Sequence, residues 1–191
     1  MTTLLLLGSV VGGYLLGALS PASLIARSKG VDLRQVGSGN PGASNAGRAF
    51  GRRIGITVAV LDVAKGAVPA AVFGAIDHRA GLLAGLTAVI GHVSSPFLRG
   101  RGGKGVATAA GAILGVQPLW LPIVLLAWLL TVAVSRWIAL ASVVAATTVL
   151  VVAVVAGQDR LWAVLLALVV IARHQSNLAQ RRTVTVPDLE L

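Results

Sequence analysis

Long apolar runs, broken at intervals by glycine, proline and basic residues, set the pattern of this chain. They predict about seven helices, over residues 4–26, 54–76, 80–98, 105–117, 119–134, 137–156 and 161–178. Residues 105–117 would reach only about 20 Å as a helix, short of the roughly 30 Å hydrocarbon core of a bilayer. That segment is expected to start inside the protein rather than at the membrane surface. Strands alternating with amphipathic helices are absent from the pattern, and no internal repeat is evident.

Composition turns this pattern into a membrane protein. The 191 residues are 56% hydrophobic and only 12% charged, with a mean hydropathy of +0.88, whereas soluble domains carry about 25% charged residues. Between Gly105 and Ala172 the only ionisable side chains, histidine aside, are Arg136, Asp159 and Arg160. A soluble domain could not cover its surface with these; a bilayer removes the demand. Met1-Thr2-Thr3 has no positive charge, and Pro21 follows Ala18-Leu19-Ser20 where a signal peptide would be cut. Leu4 onward is therefore read as a retained helix. Residues 1–182 are expected to form a single integral membrane domain, and 183–191, with Pro187 and two acids, a disordered cytoplasmic tail.

The net charge of +10 then finds its place. Arg27, Lys29, Arg34, Arg48, Arg52, Arg53, Arg99, Arg101, Lys104, Arg136, Arg173, Arg181 and Arg182 fall in loops on one side of the predicted spans. Arg79 and Arg160 fall on the other, each near an Asp. The positive-inside rule makes the first side cytoplasmic. The expected fold is thus an all-α integral membrane protein with the N-terminus outside, the C-terminus cytoplasmic and Gly-rich cytoplasmic loops. Basic residues scattered through short loops argue against nucleic acid, which needs them concentrated on a soluble face.

Two of those loops carry candidate chemistry. Gly37-Ser38-Gly39-Asn40-Pro41-Gly42 satisfies the dinucleotide pattern G-x-G-x-x-G, and Asp62 follows at a suitable distance. The segment from Ala43 to Gly51 is too short for the crossover helix of a βαβ unit and contains Gly47, so the pattern is a decoy. Around Gly103-Lys104, Gly105 stands where a P-loop needs Ser or Thr, and Leu98 where it needs its first Gly. Beneath both patterns lies shared physics: glycines let successive N–H groups converge on an anion, and Ser, Asn, Arg and Lys add donors. Residues 37–53 hold five Gly, two Ser, two Asn and three Arg with no acid; residues 99–105 hold four Gly, two Arg and Lys104, again with no acid. Together they suggest a site for one or more phosphates. A helix beginning at Gly105 would aim its positive end at an anion held by Gly102 to Lys104.

Other polar residues are placed by spacing. Asp62 and Lys65 stand i, i+3 on one helical face, as a buried mutual pair would. His92 begins the stretch leading to the second Gly-rich loop and is open to either a packing or a functional role. His174 and Asn177 are i, i+3 beside Arg173 at the end of the last run. The six acids form no cluster and the three His show no ligand spacing, so neither a metal nor a cofactor is expected.

With these loops in view, the chain resembles the bacterial acyl-phosphate:glycerol-3-phosphate acyltransferases, small inner-membrane enzymes. "YLLGALSPASLIARSKGVDLRQVGSGNPGASNAGRAFG" is similar to that family's first motif, "LDVAKG" to its second-helix element, "GHVSSPFLRGRGGKGVAT" to its second motif and "ARHQSN" to its last. The resemblance implies transfer of a fatty acyl group from acyl phosphate to the 1-hydroxyl of glycerol 3-phosphate, at a multi-pass active site facing the cytoplasm. It implies membrane lipids and a soluble acyl-phosphate-producing enzyme as partners. An acyl phosphate already has a good leaving group, so positioning and charge neutralisation suffice without a covalent Ser or Cys intermediate. Lys104 and the N–H groups of Gly102, Gly103 and Gly105 suit the acyl-phosphate anion, and Ser38, Gly39, Asn40 and Ser44 complete its cradle. Arg48, Arg52, Ser142, His174 and Asn177 are assigned to glycerol 3-phosphate. The base is His92 or the leaving phosphate itself. Pro41, Ser44, Ala139, Gly100 and the Ser94-Ser95-Pro96 order depart from the family's usual residues and bear on acyl-chain and donor preference. Two rivals remain at this point: a small organic-phosphate transporter, and a noncatalytic membrane assembly protein whose loops meet anionic lipid.

Overall fold

The computed structural model describes residues 2–175, and the regular structure among them is helical throughout. In chain order the helices are α1 (Thr2–Ala18), α2 (Pro21–Ser28), α3 (Ala43–Phe50), α4 (Arg52–Gly74), α5 (His78–Val93), α6 (Val106–Val116), α7 (Trp120–Ser135), α8 (Ile138–Ala156) and α9 (Arg160–Ala172). Short 3-10 turns occupy Leu33–Gln35 and Pro96–Leu98. Four stretches are long and apolar enough to cross a bilayer, Thr2–Ser28, Arg52–Gly74, His78–Leu98 and Ile138–Ala156; Val106–Val116, Trp120–Ser135 and Arg160–Ala172 are shorter. Leu4, Leu15, Val60, Val72, Leu126, Leu130, Val155 and Leu168 point outward and exposed. Hydrocarbon, not water, suits that surface. The stretches on either side of the G-x-G-x-x-G pattern are a 3-10 turn within "VDLRQV" and part of α4 in "ITVAVLD".

The described chain divides into two compact units, residues up to Pro118 and residues from Leu119 onward. In the first, small residues let backbones approach to contact, as expected where hydrophobicity cannot drive helix association. A methyl group on Gly111 would strike the Val63 carbonyl, and one on Gly115 the Ala67 carbonyl, so α4 and α6 lie side by side and run in the same direction. Gly13 meets Ala84 and Gly17 meets Ala88 in the same way, making α1 parallel to α5. Gly74 faces Gly81 across the antiparallel α4–α5 hairpin. The starts of α4 and α6 and the ends of α1 and α5 consequently share one end of this unit.

Two elements differ from the sequence expectation. The first apolar run is two helices, because Pro21 lacks the N–H that would continue the ladder and takes the first position of α2 instead, with Ser20 accepting from Ser23 N–H at 3.3 Å. The break leaves carbonyls bare, and distant side chains satisfy them: Ser95 Oγ donates to Ala18 O and Lys65 Nζ to Leu19 O, each at 2.6 Å. Part of the first Gly-rich loop is helix α3, whose Ala46 joins Ala22, Ala26, Leu33 and Val58 in a small core. Gly47, read as a helix breaker, gives α3 its close approach to Gly55 of α4, where a Cβ on Gly55 would stand 2.8 Å from Gly47 Cα.

In the second unit α7 packs on α8 and α8 on α9, with Trp120 and Trp162 tilted together at 6.5 Å between ring centroids.

Candidate active site

The first Gly-rich segment is a built turn, not a slack one. Asn45, on the inner face of α3 and 1% exposed, donates from Nδ2 to Leu33 O at 3.0 Å and Val36 O at 2.9 Å, and accepts at Oδ1 from Ser38 N–H at 3.1 Å. Gly37 takes φ +58°, the left-handed region, and a side chain there would also meet Asn45 Oδ1. Ser38 is exposed at the tip, while Gly39 and Asn40 are half-buried. Ser44 and Arg48, spaced i, i+4, share the exposed face of α3, and Arg52 stands exposed at the first turn of α4. Asp32 is the one acid in residues 27–53. Arg34 bonds it from Nη2 at 2.9 Å, and that guanidinium holds the exposed carboxyl below its usual range.

The second segment leaves α5, makes the Pro96–Leu98 turn and comes back onto the helix it left. Gly102 N–H donates to Val93 O at 3.1 Å and Gly103 N–H to His92 O at 3.0 Å. This corrects the expectation that both amides face an anion: they satisfy the carbonyls at the end of α5. Gly103 also packs so closely on the His92 ring that a Cβ would overlap it. Lys104 follows, half-buried, and Gly105, at φ +83°, is the N-cap of α6. No side chain caps α6 and no acid stands in its first turn, so its positive end is uncompensated from within the helix. Leu98 lines a recess with Arg27, Leu33 and Arg34. The turn that leads into the second segment thus meets the turn that leads into the first, at the end of the unit where α4 and α6 begin.

Beneath them lies a buried polar group. Asp62 Oδ1 is 2.8 Å from Lys65 Nζ, as the i, i+3 spacing predicted, and 3.6 Å from His92 Nδ1. His92 is buried between Asp62 and Gly103.

Residues of the second unit were also assigned to substrate. Ser142 is buried, with its hydroxyl donating to Ile138 O at 2.8 Å. His174, also buried, sets Nδ1 2.8 Å from Val170 O. A carbonyl only accepts, so Nδ1 carries the hydrogen of this bond. Asn177 lies outside the described residues.

A family model described as glycerol-3-phosphate acyltransferase matches residues 7–183. The chain belongs to that family. A glycerol-3-phosphate acyltransferase of Geotalea daltonii is 38% identical over 92% of this chain and 93% of its own length. One of Aquifex aeolicus is 39% identical over 88% of this chain and 91% of its own. Among solved structures, PlsY (YgiH), an integral membrane glycerol 3-phosphate acyltransferase in its glycerol 3-phosphate form, superposes with a TM-score of 0.87 at 38% identity, covering 92% of this chain and 90% of that one. Its lysophosphatidic acid form gives a TM-score of 0.85 at 36% identity, with the same coverage.

For a glycerol-3-phosphate acyltransferase, the sequence reading missed two parts of this end of the molecule. Asn45 was counted only as a donor; its place beside Ala46 and Ala49, on the apolar side of a short helix, was the available signal. The approach of His92 to Asp62 joins residues of two helices and has no local signature.

Proposed function

We propose that the protein transfers a fatty acyl group from an acyl phosphate to the 1-hydroxyl of glycerol 3-phosphate. The products are 1-acylglycerol 3-phosphate and inorganic phosphate, in an early step of phospholipid synthesis at the bacterial inner membrane. The observation that carries the reading is the start of α6, where a half-buried Lys104 precedes a helix N-terminus with no acid in its first turn and no side-chain cap. Such an arrangement favours a phosphate dianion.

In this reading Lys104 and the α6 N-terminus, with Gly105, receive the acyl phosphate, and Ser38, Asn40 and Ser44 add donors. Arg48 and Arg52 serve glycerol 3-phosphate. The 1-hydroxyl oxygen attacks the acyl carbon, the bond from that carbon to the phosphate oxygen breaks, and the departing phosphate takes the hydroxyl proton. His92 is set aside as base, because its ring is enclosed by Asp62 and Gly103. The leaving phosphate needs no protein group for that task.

Purified protein in detergent, given palmitoyl phosphate and glycerol 3-phosphate, is expected to release phosphate and form lysophosphatidate in equal amounts. Product from acyl-CoA but not from acyl phosphate would change the donor; no product from either would sink the reading.

We further propose seven spans with the N-terminus outside and this end of the first unit in the cytoplasm. Single cysteines replacing Arg48 and Asp77 are then expected to react with an impermeant thiol reagent from opposite membrane faces. Reaction from the same face would refute that topology.

A further inference from the structure

The mechanism above gives no task to the buried ion pair. Asp62 sits in the middle of a 23-residue membrane helix, where an ionised carboxylate and ammonium are costly to hold. Packing does not ask for them, since α4 and α6 are joined by glycine contacts at Gly66, Gly111 and Gly115. Buried ion pairs are often replaceable by apolar residues at no loss of stability. What the pair does have is reach. Lys65 holds the Leu19 carbonyl at the α1–α2 break. Asp62 faces the Nδ1 side of His92. His92 in turn meets the second loop twice, with its carbonyl accepting Gly103 N–H and its ring lying flush on the Gly103 backbone. Lys104 is the next residue.

We propose that Asp62 is a positioning residue for acyl transfer: it orients the His92 ring, and the ring seats Gly103 so that Lys104 and the start of α6 are presented in register. Lys65 balances the charge of Asp62 and ties the same point to the first helix break. His92 is then a spacer of defined orientation, which is why a buried histidine stands against the second loop. Glycine at 103 belongs to the same device, because any side chain there would displace the ring.

This inference rests on the function proposed above, and its test includes a measurement that does not. The variants are Asp62→Asn with Lys65→Met, which removes both charges together, His92→Phe, which keeps ring volume without nitrogen, and the triple variant. Each of the first two is expected to lower kcat about tenfold or more while leaving KM for glycerol 3-phosphate within about twofold. The triple variant is expected to be no slower than the slower of them, because all three changes cut one chain of contacts. His92→Gln, which keeps a hydrogen-bonding side chain, should recover part of the loss. Without any substrate, the charge-free variant should be cut by trypsin after Lys104 faster than the unaltered protein, with cutting after Arg34 unchanged.

Unaltered kcat in the folded charge-free variant, losses that multiply in the triple variant, or unaltered cutting after Lys104 would overturn the proposal. If the charge-free variant does not fold, His92→Phe decides alone, since it leaves the ion pair in place; full kcat there overturns it. An unaltered protein that turned over no acyl phosphate would count against the function instead, and the proteolysis would still decide this inference.

Discussion

Lys104→Ala is expected to lower kcat with palmitoyl phosphate by about 100- to 1000-fold, the loss typical of removing one preorganised donor from a site of developing negative charge. As the acyl carbon takes the glycerol oxygen, charge gathers on the oxygen leaving with the phosphate. An ammonium there gains strength in the transition state relative to the bound substrate, so kcat should fall with little change in KM. Folding should be spared: the Gly102 and Gly103 amides that fasten the loop to α5 and the Gly105 cap of α6 are backbone features. Lys104→Arg keeps the charge but replaces a compact ammonium by a longer planar group, and should recover only part of the rate. The decisive measurements are steady-state kcat and KM on detergent-purified protein with its melting temperature alongside. A rise confined to KM would reassign Lys104 to uniform binding, and unchanged kinetics would remove it from the site.

The parts of this molecule legible in the sequence are those set by local pattern. Seven apolar runs became helices because length and hydropathy are properties of contiguous residues. The Asp62–Lys65 pair was legible because i, i+3 places two side chains on one face of any helix. The start of α6 was legible because a glycine after a basic Gly-rich run is a natural cap, and the helix does begin at Val106. What escaped is non-local. The α1–α2 break is started by Pro21, but the carbonyls it bares at Ala18 and Leu19 are met by Ser95 and Lys65, far along the chain. The Gly102 and Gly103 amides looked free for an anion, and only the return of the loop onto α5 showed which carbonyls take them. Helix α3 was hidden by its own glycines: Gly42, Gly47 and Gly51 read as loop residues, while two of them mark its ends and the third its contact with α4.

Asn45→Asp is expected to damage acyl transfer as well, by a different route. The side chains have the same shape, but aspartate lacks the two N–H donors that Asn45 gives to Leu33 and Val36. Two carbonyls lose their partner and then face a carboxylate oxygen in a site that water scarcely reaches, at a cost of about 1–3 kcal/mol for each bond lost. The acceptor for Ser38 N–H survives, so what fails is the closure of residues 33–38 against α3. Ser38 and Asn40 would then no longer be held beside the other donors, and kcat/KM for acyl phosphate should fall at least about tenfold, a loss of about 1.4 kcal/mol in transition-state binding. The spans should persist, because Asn45 contacts none of the interhelical glycine seams. Trypsin should report the opening directly, cutting after the exposed Arg34 faster than in the unaltered protein, while cutting after Lys104 stays as it was. Equal cutting after Arg34 together with unaltered kinetics would show that the turn keeps its form without Asn45, and that the donors at its tip are either held by other contacts or not used.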